Sequence, residues 1–307
     1  MRIFFQRSLF CLFLLVISSN LSWGASKDSP PQSAASDSSK SISGVGSVIW
    51  QNNFSAPGVS QIDTSTWTKN LGNYRRELPV INSPENVFIS GPSTNKNLEI
   101  ITSKIYRPSL YKGWCTTAPC QFVSGEITTR DKLIVKYGYI EAKIKMPSGI
   151  GNWPALWMLP DGNYGDSHKA TPGEIDNVEW YGNKPTLLNF TLHSNTPPGQ
   201  VNDSEVHTYF DTKQDLSQAF HLYGVAWMPG NISIYFDNNL VKTFSSGSLP
   251  AWPFNNFYYL ILQGSVGPQP NTIYGGNWSG WQTSSMKISW VKISKYQGFG
   301  EVQILNR

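Results

Sequence analysis

Apolar and polar residues alternate in short runs along most of the chain, a period of two that is typical of β-strands with one buried face. In 139–146 the apolar positions are Ile140, Ala142, Ile144 and Met146. A similar run at 232–236 leads through Asp237-Asn238-Asn239, whose residue types tolerate positive φ, into 240–244, and this predicts a hairpin. A further strand is predicted at 286–293, and no stretch shows a long amphipathic helical period. The pattern predicts one large all-β sandwich.

The two ends of the chain differ from this pattern. Residues 1–24 have a basic start, an apolar run at 9–17 that is too short to span a bilayer, and small residues at Ser22 and Gly24, as in a secretory signal. Residues 25–45 are rich in Ser and Pro and are expected to form a disordered linker. The folded domain is predicted at 46–297, with a tail at 298–307. We expect a secreted or periplasmic protein without membrane association after signal cleavage.

Charge and composition narrow the function only a little. Removing the signal removes Arg2 and Arg7 and no acid, so the formal charge of +4 becomes 4 − 2 = +2. No basic stripe of the kind that binds nucleic acid is visible. Charged residues make up only 14% of the chain, whereas Trp occurs 12 times. So many Trp residues suit a cleft that binds sugar rings but are not specific for one, and we expect a monomer.

The mature chain retains two cysteines, because Cys11 lies within the signal. Cys115 and Cys120 enclose a short loop that contains Pro119, and in an exported protein they are expected to form a disulfide. Two free thiols are the alternative. A zinc site is not indicated, since no His or further Cys stands at ligand spacing.

The stretch 173–182 contains three carboxylates within six residues. In a strand, Glu174 and Asp176 share one face, and Glu179 falls on the other. A bulge with one extra residue would return Glu179 to the first face. In a helix Glu174 and Glu179 would be about 140° apart around the axis, and Val178-Glu179-Trp180-Tyr181 is rich in β-favouring types. The sequence therefore predicts a bulged strand.

Paired carboxylates on one face are typical of glycoside hydrolysis. One serves as nucleophile and the other as acid/base, and a retaining enzyme holds them only about 5–5.5 Å apart. Asp176 could share a proton with Glu174 and help to keep the acid protonated by like-charge repulsion. The alternative is a solvated acidic strand face with no chemistry.

The neighbouring segments offer further candidates. If 153–159 is a strand, Trp153 and Trp157 share a face and either line a sugar cleft or belong to the core. Residues 160–172 form a polar loop that could border such a cleft, with His168 as a solvated residue. Residues 187–194 predict a strand that pairs with the acidic one. On it Thr191 and His193 share a face, so His193 is either a structural residue or a hydrogen-bond partner of the carboxylates.

The acidic stretch resembles the E-x-D-x-x-E signature of glycoside hydrolase family 16, in the bulged form found in laminarinases. Other segments are similar to the family's motifs in the same order along most of the mature chain, namely Ser124-Gly125 with Ile127-Thr128-Thr129, residues 137–145, the WPALWMLP run at 153–160, and Thr191-Leu192-His193.

The resemblance implies a concanavalin-like β-jelly-roll sandwich with a substrate cleft on its concave sheet. It also implies retaining double-displacement hydrolysis of β-1,3-glucan of the laminarin type. Glu174 would be the nucleophile, Asp176 its partner and Glu179 the acid/base. The implied substrate-binding residues are Trp153, Trp157, Trp180 and His193.

Several positions depart from the family pattern. Asn52-Asn53 and Ser289 replace acids in regions associated with a structural calcium ion, so we expect neither a metal site nor another cofactor. Two further segments differ from the family pattern, namely Tyr74-Arg75-Arg76-Glu77-Leu78 and residues 262–268. These differences affect the choice of substrate. A non-catalytic glucan-binding module, or a hydrolase of mixed-linkage glucan, agar or carrageenan, remains an alternative.

Overall fold

The computed structural model describes residues 40–72, 78–106, 112, 113, 115, 120–162, 173–195, 203–267 and 278–305. The predicted signal, residues 25–39 of the predicted linker, residues 74–77, His168 and most of the 160–172 loop lie outside these ranges. Within the described residues, helical structure consists of two short 3-10 turns, Pro84–Asn86 and Ser246–Ser248. The part of the chain that the structure describes contains no helix with the length and apolar character of a membrane span.

The described strands form two sheets that account for the alternating pattern of the sequence. Their bounds are β1 Val45–Asn53, β2 Thr68–Lys69, β3 Val80–Asn82, β4 Val87–Ser90, β5 Asn97–Lys104, β6 Phe122–Ser124, β7 Glu126–Thr128, β8 Leu133–Lys136, β9 Gly138–Lys145, β10 Ala155–Pro160, β11 Glu174–Trp180, β12 Leu187–Asn195, β13 Asp203–Asp211, β14 His221–Met228, β15 Asn231–Phe236, β16 Asn239–Ser245, β17 Tyr258–Gln263, β18 Ser284–Tyr296 and β19 Glu301–Ile304.

One sheet has ten strands and the other nine. The order in the first is β16-β15-β14-β9-β18-β5-β6-β3, with β1 also paired to β18 and β4 to β5. The order in the second is β13-β12-β11-β10-β17-β7-β2, and β8 links β17 to β19. The pairs are antiparallel except for β3 with β6. Strands β10, β11 and β12 are therefore neighbours, as the sequence predicted for β11 and β12.

The core lies between the inner faces of the two sheets. Ile140, Ala142 and Ile144 of β9 are fully buried there, which confirms the predicted alternation. From the nine-stranded sheet Leu156 and Val178 contribute to the same cluster. Because side chains alternate along a strand, the intervening residues point to the other face of the nine-stranded sheet, where Tyr259 and Ile261 form part of a smaller apolar cluster.

The predicted hairpin forms between β15 and β16. Its turn residues Asp237 and Asn238 have φ values of 44° and 62°, and both residue types tolerate this conformation. The sequence assigned 298–307 to a tail, but Glu301–Ile304 pairs with β8 in the nine-stranded sheet. Val302 of this short strand packs against the main core, so the prediction of a tail is corrected here.

Candidate active site

A bulge in β11 places the three carboxylates on one face. Asp176 pairs with Thr191 of β12, and Glu179 pairs with Asn189. Three steps along β11 (179 − 176) therefore match two steps along β12 (191 − 189). Asn177, which is fully buried, lies in the bulge. This confirms the bulged strand and explains how Glu179 shares the outer face with Glu174 and Asp176.

Glycines at both ends of β11 allow neighbouring groups to come close. Gly173 has a φ of 115°, and a Cβ atom there would clash with the hydroxyl of Tyr258. A Cβ atom on Gly182 would collide with the carbonyl oxygen of Gly149. Only glycine fits both requirements, so the two glycines of the 173–182 stretch help to fix where the carboxylates lie.

Glu179 accepts hydrogen bonds on both of its carboxyl oxygens. Nε1 of Trp153 donates to Oε1 at 2.9 Å, and Nδ2 of Asn189 donates to Oε2 at 2.8 Å. The hydroxyl of Thr191 also donates to Oε2 at 3.3 Å. Burial, and then the negative charge of Asp176, raise the pKa of Glu179 to about 7, although the bonds from Trp153 and Asn189 lower it. Glu179 thus holds a proton in near-neutral solution, as a general acid must.

Glu174 and Asp176 form the other half of the site with His193. Burial, followed by the charge of Asp176, raises the pKa of Glu174 well above its usual range, and the nearby His193 lowers it. A hydrogen bond to Asp176 also raises the pKa of Glu174, because Glu174 must hold a proton to donate that bond. His193 lies beside them, with Nε2 at 3.2 Å from Oδ2 of Asp176. The predicted hydrogen-bonding role of His193 is confirmed.

The three predicted cleft tryptophans have different environments. Trp180 is fully buried in the core and donates from Nε1 to the carbonyl of Pro185, so its assignment to the cleft is wrong. The bulge puts position 180 on the inner face, opposite to Glu179. Trp153 is half-buried beside Glu179, where its indole serves as a hydrogen-bond donor. Trp157 lies opposite Asp176 on the outer face and packs against Ile261. Direct contact of Trp153, Trp157 or His193 with substrate stays a prediction.

Sequence reasoning missed two residues of the site. Asn189 pairs with Glu179 across β11 and β12 and also donates to the hydroxyl of Tyr181 at 3.1 Å. Glu205 of β13 reaches Nδ1 of His193 at 3.3 Å. The period of two would have put Asn189 on the face of Thr191 and His193, which was an available signal. The partner of His193 on β13 depends on strand register, which no local motif shows.

The candidate active site contains side chains of types that can bind a metal ion. Among the described residues, Glu174, Asp176 and His193 present donor atoms within 4.8 Å of one another. The hydrogen bond between the two carboxyl groups, and that between His193 and Asp176, already occupy these atoms. The arrangement therefore suits proton sharing, and we assign no metal to it.

The region that the family resemblance links to calcium, around Asn53 and Ser289, contains uncharged side chains where the family has acids. The hydroxyls of Ser55 and Ser289 lie 2.8 Å apart, and Oδ1 of Asn53 accepts the Ser55 amide. Lys96 extends its ammonium group to the carbonyl of Val59 at 2.8 Å. A hard dication prefers charged oxygen ligands, so these residues do not fit calcium.

Away from the carboxylates, Cys115 and Cys120 form the predicted disulfide. It lies in a small cluster with Ile81 beside β3 and β6. The two thiols are therefore paired in this structure.

Comparison with known proteins agrees with this site. Residues 63–292 match the family model for glycosyl hydrolases family 16. The chain is 31% identical over 281 residues to glucan endo-1,3-beta-glucosidase A1 of Niallia circulans, with 81% of this chain aligned to 38% of that protein. It is 32% identical over 172 residues to endo-1,3-1,4-beta-glycanase EglC of Rhizobium meliloti, with 56% of this chain aligned to 33% of that protein. The chain thus spans well under half the length of these two relatives.

A solved structure has a similar fold. The laminarinase catalytic domain from Thermotoga maritima MSB8 is 26% identical, with a TM-score of 0.65 over 81% of this chain and 97% of that domain. Two stacked β-sheets with clustered carboxyl groups on one outer face define a glycoside-hydrolase type of protein. The family match covers most of the chain, and the chain belongs to family 16 of the glycosyl hydrolases. The predicted all-β jelly-roll sandwich is confirmed.

Proposed function

We propose that this chain is a secreted hydrolase of β-1,3-glucan that works by a retaining double displacement. One observation supports this most directly, namely the bulge that brings Glu179 to the same face as Glu174 and Asp176. Export is supported by the secretory pattern of residues 1–24.

In the first step Glu179 and Glu174 act together on the glycosidic bond. Glu179 donates its proton to the leaving oxygen, and the Glu174 carboxylate attacks the anomeric carbon to form a glycosyl-enzyme ester as the bond breaks. For Glu174 to attack it must be ionised, and the nearby His193 favours this by lowering its pKa. The bonds from Trp153 and Asn189 hold Glu179 in place while it loses its proton.

In the second step water replaces the leaving sugar. Glu179, now ionised, removes a proton from the water as its oxygen attacks the anomeric carbon. The ester bond to Glu174 breaks, and both carboxyl groups return to their starting forms. Two inversions give overall retention, so the product is the β-anomer.

The glycosidic linkage that this chain would cleave is proposed from the names of its relatives. The Niallia circulans protein is named as acting on 1,3-linked glucan, and the Thermotoga maritima structure is called a laminarinase. The Rhizobium meliloti relative is named for 1,3-1,4 linkages, so mixed-linkage glucan is the second candidate substrate. Both predicted catalytic glutamates are present in this chain, which disfavours a module that only binds glucan.

The test is product formation from laminarin and from mixed-linkage glucan by the mature protein. We expect β-anomers to appear first in NMR spectra from laminarin, and no products from a Glu174→Ser variant. Glu301→Gln changes an exposed carboxylate on β19 and is the matched control, expected to be as active as the natural chain. An α-anomer as first product, or full activity in Glu174→Ser, would refute the mechanism.

A second arm separates the roles of the two glutamates. Glu179→Ala should hydrolyse polymer very slowly. On an aryl glucoside with an acidic phenol it should release phenol in a rapid first turnover, because that leaving group needs no proton, and then accumulate the glycosyl-enzyme ester, because no base activates the water. Glu174→Ser should be inactive on both. Faster hydrolysis of mixed-linkage glucan than of laminarin would support the second candidate substrate.

A further inference from the structure

Beyond the carboxylates of β11, a chain of polar contacts crosses three strands of the nine-stranded sheet. It starts at Asp176, passes through His193 of β12 and reaches Glu205 of β13. Nε2 of His193 is 3.2 Å from Oδ2 of Asp176, and Nδ1 is 3.3 Å from Oε2 of Glu205. The cross-strand pairing of His193 with Glu205 places the two side chains on the same face. His193 therefore lies between two carboxyl groups.

The other oxygen of Glu205 has its own neighbour. Nδ1 of His207, which is two positions along β13, lies 3.7 Å from Oε1 of Glu205. The His207 ring in turn contacts the Tyr209 ring, with centroids 5.1 Å apart. Although about half of the Glu205 side chain is exposed, both of its oxygens thus face imidazoles, and Glu205 is directed towards His193.

The position of His193 limits where protons can be. A neutral imidazole has one N–H donor and one lone pair, so between two ionised carboxylates one contact would bring a lone pair against a negative oxygen. Both contacts become favourable when the ring is protonated. A carboxylate at position 205 thus favours the imidazolium form of His193 through the Nδ1–H bond.

That positive charge would act on the groups of β11. The titratable groups of the described residues that surround His193 are Glu174, Asp176 and Glu179 on β11, and Glu205, His207 and Tyr209 on β13. Of these, Glu174 is the proposed nucleophile and must be ionised, although burial and Asp176 oppose this. The charge of His193 lowers the pKa of both Glu174 and Glu179.

We propose that Glu205 is a positioning residue, which holds His193 protonated against Asp176 and thereby keeps Glu174 ionised for attack. This inference rests on the function proposed above. Glu205 acts through His193, and substrate contact is not required. The carboxylate of an outer strand then sets the lower end of the pH range in which the enzyme works.

The decisive variant is Glu205→Gln, whose side-chain oxygen can still accept the Nδ1–H bond but carries no charge. We expect the acidic limb of the kcat/KM profile to move up by about half a pH unit, the scale of a partly exposed charge pair. At the lower pH kcat should fall about threefold while KM changes little. Asp211→Asn is the matched control, because Asp211 lies on the same strand and face but binds Lys213.

The direction of the shift separates the proposal from simple electrostatics. Removal of a negative charge would by itself make Glu174 easier to ionise and would move the acidic limb down. An unchanged or lowered limb in Glu205→Gln, or an equal rise in Asp211→Asn, would overturn the proposal. Glu205→Asp should restore part of the natural profile.

A measurement without substrate keeps this test independent of the proposed function. The chain has 4 His residues, so the imidazole nitrogens of His193 can be assigned in NMR spectra with a His193→Gln variant. We expect His193 to deprotonate at a lower pH in Glu205→Gln than in the natural chain. Equal titration in the two proteins would overturn the proposal, even if no glucan were cleaved.

Discussion

The indole Nε1 of Trp153 donates a hydrogen bond to Oε1 of Glu179 at 2.9 Å. Trp153, like Trp278 and Trp281, also packs against a small apolar cluster that contains Phe122. The proposed general acid is therefore tied to an apolar cluster outside the main core. This relationship makes Trp153 a candidate for tuning the acid as well as for binding sugar.

Trp153→Phe should shift the basic limb of the pH profile upwards. The bond from Trp153 lowers the pKa of Glu179, which is about 7 in the natural chain. Phenylalanine keeps most of the ring packing but cannot donate, so Glu179 should hold its proton to higher pH. Because the first step needs protonated Glu179, the activity of the variant should decline at a pH about half a unit higher than that of the natural chain. A basic limb at lower pH, or one unchanged, would contradict this role of the indole.

Asn177→Val should stabilise the protein. Asn177 is fully buried, and neither Nδ2 nor Oδ1 of its side chain has a hydrogen-bond partner among the described residues. Replacing a buried, unpaired polar group by an apolar one of similar size should raise the free energy of unfolding by about 1 kcal/mol. Urea unfolding monitored by Trp fluorescence gives this value. Activity should be retained, since Asn177 contributes the bulge through its backbone, and a loss of stability would show that its amide is bound.

Trp157→Ala and Trp180→Ala should separate substrate binding from folding. Trp180 is fully buried, so its removal should cost about 3–5 kcal/mol of unfolding free energy. Trp157 lies on the outer face beside Asp176, so Trp157→Ala should raise KM for laminarin about three- to tenfold at a smaller cost in stability. The measurements are thermal unfolding and initial rates. A normal KM in Trp157→Ala would remove Trp157 from the proposed cleft.

Glu126→Gln should make stability less dependent on pH. Glu126 is buried, and Nδ2 of Asn70 and Nδ2 of Asn82 donate to its two oxygens at 2.5 and 2.9 Å. Burial raises its pKa from the ordinary 4.5 to about 7, so the folded state binds more protons than the unfolded state between these values. The natural chain should therefore lose stability as pH rises through this window.

Gln at position 126 does not titrate and should avoid that loss. We compare the unfolding free energy of Glu126→Gln with that of the natural chain at pH 4 and at pH 8. The difference should favour the variant by about 1–3 kcal/mol more at pH 8 than at pH 4. Urea unfolding at the two pH values measures this. Glu85→Gln, at an exposed position in a 3-10 turn, is the control and should show no such trend. Parallel behaviour of Glu126→Gln and the natural chain would contradict the buried, protonated state.

The parts of the site that sequence predicted depend on local patterns. The period of two gave the faces of β9 and β12, and three carboxylates within six residues, with β-favouring neighbours, indicated a bulged strand. His193 was recognised because it shares a face with Thr191 on the adjacent strand. In each case the deciding information lies within one strand or its immediate neighbour.

Other features depended on contacts between distant segments. The family resemblance implied a place in the cleft for Trp180, yet one extra residue in the bulge turns its side chain into the core. The hydrogen bond from Trp153 to Glu179 required β10 and β11 to pair in a particular register.

The sequence by itself therefore predicted the strands, the candidate catalytic carboxylates and the family, because these follow from periodicity and motif. Only the tertiary structure decided which groups surround each carboxylate. Asn189 lies on β12, Glu205 on β13 and Trp153 just before β10, and the register between strands is set by packing of the whole sheet. The pKa values follow from that burial and those neighbours, so they too belong to the folded state.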